Sequence, residues 1–216
     1  MTGIIGAMEI EVASLIANLQ DKTEKTYSGI KFFSGKFEGA DVVIAQCGIG
    51  KVNAAICAQT MVLMYSPTLI INTGAAGSLS DKLKIGDIVI AADTVQHDFD
   101  VTLIGIEKEV IPCTPSVVTR LTHAAHGSCH IGTIATGDQF ISCAARKKAI
   151  ADELGAIACE MEGASIARVC LLNNVQVGIV RAISDNANDD ANFDFNEFLQ
   201  EAVEKSVKTL KLFFKN

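Results

Sequence analysis

Apolar residues come in short runs along most of the chain, and between these runs lie stretches in which they recur every three or four positions. The first pattern marks buried strands and the second amphipathic helices. GIIGA at 3–7 reads as a strand, and MEIEVASLIANLQ at 8–20 as a helix, because Met8, Val12, Leu15, Ile16 and Leu19 share one face. IKFFSGKFEG and ADVVIAQC meet at a Gly-Ala turn and read as an antiparallel hairpin, after which CGIGKVNAAICAQTMVLMY opens with glycines and continues as a helix. TLIINTGAAG, IGDIVIAADTVQHD and HIGTIATGD read as strands, residues 146–154 as a helix, and AIACEME as a buried strand end. GASIARVCLLNN is a helix closed by asparagines, VQVGIVRAISD the last strand, and NFDFNEFLQEAVEKSVKTLKLFF a terminal amphipathic helix. Asp194 and Glu197 have N-cap to N3 spacing for a helix starting near Phe195. The alternation predicts an α/β fold with three layers, helix, mixed sheet and helix, in one domain spanning residues 1–216.

In such folds ligands bind outside the carboxyl ends of the strands. The strand ends to inspect carry Glu9 and Glu11, Cys47 to Gly50, Thr73 to Gly77, Asp138 to Ile141, Glu160 to Glu162, and Arg181 to Asp185.

Composition narrows the partners. A formal charge of −7 with scattered Lys and Arg argues against nucleic acid, since phosphate neutralisation needs clustered cations. No run reaches about 18 uninterrupted apolar residues, the length that spans a membrane. The apolar N-terminus lacks the basic start of a secretory signal, and Glu9 and Glu11 interrupt it. Seven cysteines with no C-x-x-C pair, most inside apolar runs, read as reduced and buried, which fits a cytoplasmic protein.

Two metal-like patterns are weak. His123, His126, Cys129 and His130 are zinc-ligand types, but Gly127 and Ser128 interrupt any rigid ligand face, so a polar helix end is the better reading. Asn186 to Glu197 has calcium-loop spacing but lacks the first aspartate and has Ala191 where the turn glycine belongs. No metal is expected. The turns GIGK and NTGAAGS match neither phosphate-loop pattern, and alone they carry little.

Three acidic places remain: Glu9 and Glu11, Glu160 and Glu162, and Asp185. Each alone could be a helix N-terminal carboxylate favoured by the macrodipole by about 0.3 to 1 kcal/mol. Together they stand at strand ends that an α/β sheet brings into one crevice.

GIIGAMEIEV, CGIGKVNAA, INTGAAGSL, KIGDIVIA, HDFDVT, TGDQFI, CEMEGASIA and RAISD stand in an order and spacing that resemble the 5'-methylthioadenosine/S-adenosylhomocysteine nucleosidases of the nucleoside phosphorylase superfamily. The resemblance covers nearly the whole chain. It implies a nucleoside phosphorylase-like fold and hydrolysis of the N-glycosidic bond of 5'-substituted adenosines. It implies that Glu11 takes a proton from the attacking water, with Glu9 as the preceding helix-start acid. Glu162 would bind the ribose hydroxyls, with Met161 beside the sugar and Glu160 nearby. Asp185 would protonate the purine, held by Ser184 and supported by Arg181. Phe140 would stack on adenine, the Ile141 backbone would meet the base edge, and Ile49 and Gly77 would line the site.

The chemistry agrees with these roles. Adenine leaves readily only if a ring nitrogen is protonated, and water needs a base to attack an oxocarbenium-like sugar. A purine nucleoside phosphorylase on the same fold is the alternative, but a phosphate nucleophile needs cationic donors and no Lys or Arg precedes Lys22. A nucleoside-binding protein without chemistry is a further alternative. Ala75, Ile10 and Lys108 depart from common family residues, which leaves the preferred 5' substituent open. The resemblance also implies a homodimer in which residues 97–112 reach the partner's pocket, and no cofactor.

Overall fold

The computed structural model describes residues 1–215. β1 (Thr2–Gly6) leads into α1 (Glu9–Ala17), and β2 (Gln20–Tyr27), β3 (Ile30–Phe37) and β4 (Ala40–Gln46) form an antiparallel meander. α2 (Lys51–Tyr65) returns the chain to β5 (Leu69–Ser78), followed by β6 (Ile88–Gln96), a 3-10 turn at Thr102–Ile104, and β7 (Val110–Pro112). Then come α3 (Pro115–Ala124), β8 (His130–Thr136), α4 (Ala144–Leu154), β9 (Ala158–Glu160), α5 (Gly163–Leu172), β10 (Gln176–Asp185) and α6 (Ala191–Lys215).

Two expectations change. The first helix stops at Ala17 rather than running to residue 20, because Gln20 already pairs with Lys36 as the start of β2. QDKTEKTY is an edge strand exposed on nearly its whole length, so it has no apolar alternation to betray it. The terminal helix starts at Ala191, so Asp194 lies in its first turn and is not its N-cap. Helical bonding is already under way there, with Asp194 N–H donating to the Asp190 carbonyl at 3.0 Å.

The strands form one mixed sheet in the order β10, β6, β8, β9, β5, β1, β4, β3, β2, with β7 on β6. Alternate residues of β1 face opposite ways, as pleating requires. Ile4 packs with α1, α3 and α6 through Val12, Leu15, Leu121, Val207 and Leu210. Ile5 packs with α2 and α5 through Ala54, Cys57, Met61, Ile166 and Cys170. Helices therefore cover both faces, the layered α/β class expected. No helix among the described residues is long and apolar enough to cross a membrane.

The sheet also closes on itself, because β5 pairs with β10 as well as with its path neighbours. On its other side β5 runs beside β1 only as far as Asn72, and it meets β9 only from Gly77. Residues 73–76 therefore lack a strand partner on that edge, in a region where every residue of β5 is buried. Buried backbone groups must find partners. They find them in the side chains of the site.

Candidate active site

A cavity of about 340 Å³ opens at the carboxyl ends of β1, β5, β9 and β10. Its walls include Ala7, Met8 and Glu11, Ala75 to Gly77, Cys159 to Glu162, and Arg181, Ser184 and Asp185. Ile49, Gln139, Phe140, Ile141 and Phe195 complete them. All the residues to which the resemblance gives a role in the site meet here except Glu9, which is exposed at the first position of α1 and lies outside the cavity; of the other strand-end residues, Cys47, Gly48, Gly50, Thr73, Gly74 and Asp138 are not among its walls. Its place at a helix N-terminus is enough to account for an acid there.

Glu11, at the third helical position of α1, turns back across the helix end. Its Oε2 accepts from the N–H groups of Ala7 at 2.7 Å and Met8 at 3.0 Å, and its Oε1 from that of Ala75 at 3.1 Å. Ala75 is in the unpaired stretch of β5, so Glu11 repairs the gap in the ladder. Gly74 is what allows the approach: a Cβ there would lie 2.2 Å from Glu11 Oε1 and 2.7 Å from Arg181 Nη1. An ionised carboxylate offers about four lone-pair sites. Three are occupied, and one remains on Oε1.

Glu160 and Glu162 are two residues apart and do different work. Glu162 occupies the N-cap position of α5, yet its side chain does not cap the helix. Glu160 Oε2 takes that task, accepting from the N–H groups of Glu162 at 2.9 Å and Gly163 at 2.7 Å, while Thr136 Oγ1 accepts from Ala164 N–H at 2.9 Å. Thr136 also donates to Glu160 Oε1, and Arg181 to Glu160 Oε2, so both oxygens of Glu160 are taken by the protein. Glu162 is left free to face the cavity. Its Oε1 accepts from Gly50 N–H at 2.9 Å, and its Oε2 lies 3.3 Å from Arg181 Nη2. Burial pushes its pKa up to about 7; Arg181 and the Gly50 amide oppose the rise, and Glu160 and Glu11 add to it.

Arg181 is 1% exposed and is the central cation. Besides the two glutamates, its terminal nitrogens donate to Asn72 Oδ1 at 2.5 Å and to the Ala75 carbonyl at 3.2 Å. One side chain thus joins β5, β9 and β10 while neutralising part of a buried acidic cluster. Such a pair matters less for net stability than for what its loss would leave unpaired.

Asp185 ends β10. The register between β5 and β10 slips after Ile183, opposite Ala76, so that Asp185 stands opposite Gly77. Such a bulge re-aims a side chain at a strand end. Ser184 Oγ donates to Asp185 Oδ2 at 2.8 Å, and Ala187 N–H donates to Oδ1 at 2.9 Å. A Cβ on Gly77 would lie 2.9 Å from Oδ1, so the absence of a side chain there makes room for the acid. Burial raises the Asp185 pKa, against the Ala187 and Ser184 hydrogen bonds.

At the mouth, Phe140 is 45% exposed and meets Phe195 edge to face, with ring centroids 5.6 Å apart. Phe195 was not singled out from the sequence as a site residue. Its place there follows from α6 beginning before it and crossing the strand ends, which no local pattern records. The loop carrying Phe140 is tied to the start of α2 and to the segment after β6: Lys51 N–H donates to Asp138 Oδ1 at 2.8 Å, Asp138 N–H to Asp98 Oδ2 at 2.8 Å, and Lys51 Nζ to Asp98 Oδ1 at 2.6 Å.

Among the described residues no group of three His, Cys, Asp or Glu is arranged to hold a metal ion. His123 lies in the last turn of α3, His126 in the turn beyond, and His130 begins β8. The seven cysteines are free thiols.

The chain matches the phosphorylase superfamily over residues 2–215, so the fold and its acidic site define a member of that superfamily. A 5'-methylthioadenosine/S-adenosylhomocysteine nucleosidase of Shewanella sediminis is 42% identical over 95% of this chain and 94% of its own. The S-adenosylhomocysteine nucleosidase of Streptococcus pyogenes, solved with 5-methylthiotubericidin, superposes with a TM-score of 0.96 at 34% identity, covering 100% of this chain and 96% of that one. A futalosine hydrolase mutant of Helicobacter pylori superposes with a TM-score of 0.94 at 32% identity, covering 98% and 97%. The chain belongs to the 5'-methylthioadenosine/S-adenosylhomocysteine nucleosidase family.

Proposed function

We propose that residues 1–216 form one nucleosidase domain that hydrolyses the N-glycosidic bond of 5'-thio-substituted adenosines, methylthioadenosine and S-adenosylhomocysteine among them. The products are adenine and the 5-substituted ribose, so the enzyme recycles by-products of S-adenosylmethionine in methionine salvage. The observation that carries this reading is the contrast between two buried carboxylates lining one cavity. Asp185 has its proton affinity raised by burial, as an acid toward the purine needs. Glu11 is set in three backbone N–H donors with one acceptor site free, as a base toward water needs.

The remaining residues take supporting parts. Glu162 accepts the ribose hydroxyls, whose hydrogen bonds favour its ionised form and the positive charge developing on the sugar. Met161 packs beside the sugar and Ile49 and Gly77 line the pocket. Phe140 stacks on adenine, braced by Phe195, while the Ile141 backbone meets the base edge. Glu160, Ser184 and Arg181 hold the three acids in place. General acid and base suffice for the reaction, and the proposal includes no cofactor.

Hydrolysis is favoured over phosphorolysis by charge. Arg181 is the one cation among the lining residues, and its terminal nitrogens are taken by Glu160, Glu162, Asn72 and Ala75. A phosphate would meet Glu11, Glu162 and no free cation.

We also infer a cytoplasmic homodimer. α2 and α5 pack side by side and leave Val52, Ile56, Leu63, Leu171 and Leu172 exposed, and Phe99, Leu103, Ile104 and Ile106 are exposed in the segment after β6. Exposed apolar side chains in such number fit a subunit contact. Light scattering that gives a monomer with full activity would contradict it.

The test is adenine release from methylthioadenosine, S-adenosylhomocysteine and 5'-deoxyadenosine, with and without phosphate. Release that does not depend on phosphate is expected for the thioethers. Strict phosphate dependence, or binding without release, would replace the proposal with the phosphorylase or the binding-protein reading.

A further inference from the structure

Behind Asp185 lies a group of side chains to which no role has yet been given. The residue after the acid, Asn186, is gripped from two sides. Its carbonyl accepts from Lys147 Nζ at 3.0 Å, and its side-chain amide donates to Asp194 Oδ2 at 3.1 Å. Lys147 belongs to α4, which follows the loop carrying Phe140, and Asp194 belongs to the first turn of α6, one residue before Phe195. One loop residue therefore ties the acid to α6, which carries Phe195, and to α4, the helix that follows the loop of Phe140.

The lysine is oddly placed for a surface charge. Only 17% of its side chain is exposed, and among the described residues its one carboxylate neighbour within 4 Å, Asp81 at 3.8 Å, is fully exposed and contributes little. Its short contact is with a neutral carbonyl beside Asp185. The buried packing of α4 is made by Ile150, so the helix itself does not call for a cation at position 147.

We propose that Lys147 is a positioning residue for Asp185: through Asn186 it pins the loop that follows the acid, and with Asp194 it sets one positive and one negative charge on either side of the group that delivers the proton. The inference rests on the nucleosidase reading of the site. The charged groups facing Asp185 are Lys147 from α4 and Asp194 from α6; Ser184 Oγ, the Ala187 N–H and the Cys159 thiol of β9 are its neutral neighbours. Burial raises the proton affinity of Asp185, Asp194 adds to the rise, and Lys147 opposes it. A general acid fails once it has lost its proton, so these two neighbours move the alkaline end of the activity range in opposite directions.

The experiment is the pH dependence of kcat/KM for adenine release from methylthioadenosine, between pH 5 and pH 10. It compares the wild type with Lys147→Met, Lys147→Arg and Asp194→Asn, each checked by thermal melting. Removing the cation is expected to move the alkaline limb up by about half a pH unit, and removing the anion to move it down by a similar amount, as for charges near a protein surface. Lys147→Arg keeps the charge and is expected to restore the wild-type limb. A purely structural tether would lower activity in every variant without moving the limbs apart. Limbs that stay put, or that move the same way in Lys147→Met and Asp194→Asn, would overturn the proposal alone. No adenine from the wild type at any pH would overturn the nucleosidase reading and the proposal with it.

Discussion

Replacing Arg181 by methionine tests the buried charge network directly. The substitution keeps a long apolar stem but removes the cation from Glu160 and Glu162 and the donors from Asn72 Oδ1 and the Ala75 carbonyl. Glu160 and Glu162 are nearly inaccessible to water, with side chains 1% and 4% exposed. Breaking a buried pair by deleting one partner costs about 3 to 5 kcal/mol. That is a large share of the roughly 5 to 15 kcal/mol that holds a typical domain folded. The cost must depend on pH. The folded pKa of Glu162, about 7, lies above its ordinary value of 4.5. The folded state therefore keeps a proton that the unfolded chain has lost within that window, and stability falls as pH rises through it. Without Arg181, which opposes the rise, Glu162 holds its proton to still higher pH, so the window extends upward and the deficit relative to wild type grows. Each extra proton retained contributes about 1.4 kcal/mol per pH unit. Urea unfolding should give a deficit of about 3 to 5 kcal/mol at pH 8, smaller by about 1.4 kcal/mol at pH 6, since only above about pH 7 does the variant hold a proton that wild type has lost. A deficit below about 1 kcal/mol at pH 8, or one that does not change with pH, would refute the reasoning.

Glu11→Gln places an amide NH2 or a weaker acceptor before the N–H groups of Ala7, Met8 and Ala75; turnover should fall by about a thousandfold, and stability by about 1 kcal/mol, read by adenine release and urea unfolding. Gly77→Ala puts a methyl 2.9 Å from Asp185 Oδ1 and 3.2 Å from the Ala187 Cβ, so kcat should drop by at least about tenfold and stability by about 1 to 3 kcal/mol; near-normal kcat would show that the acid does not need that space. Cys143, the exposed thiol, should react fast with an aromatic disulfide reagent at pH 8, whereas Cys57, Cys113 and Cys170, whose pKa values burial pushes up to about 12, should react only on unfolding. Rapid reaction of several thiols in the native protein would contradict the packing.

The layered architecture was legible because both faces of most strands are covered, which makes them near-continuous apolar runs such as LIIN and VGIV. β2 was not, since an exposed edge strand of polar residues has no period to read. The start of α6 was misplaced by an attractive Asp194 and Glu197 spacing, while the carboxylate of Asp194 went instead to the Asn186 amide. At the site, the acids were visible as acids at strand ends, but their division of labour was not. CEME does not say which glutamate caps α5 and which is released to the cavity; that follows from Thr136, Arg181 and Gly50 arriving from three distant segments. The bulge before Asp185 and the unpaired stretch of β5 that Glu11 repairs are properties of strand register, which one sequence does not encode locally.

The central claim is that Asp185 gives a proton to a leaving purine. The most direct measurement is single-turnover adenine release from methylthioadenosine by Asp185→Asn beside wild type, without phosphate. Asparagine keeps the size and can still accept from Ser184 or Ala187, but it has no proton to give. Binding should stay close to normal and release should slow by about a thousandfold or more. Release within about tenfold of wild type, about 1.4 kcal/mol of barrier, would contradict it.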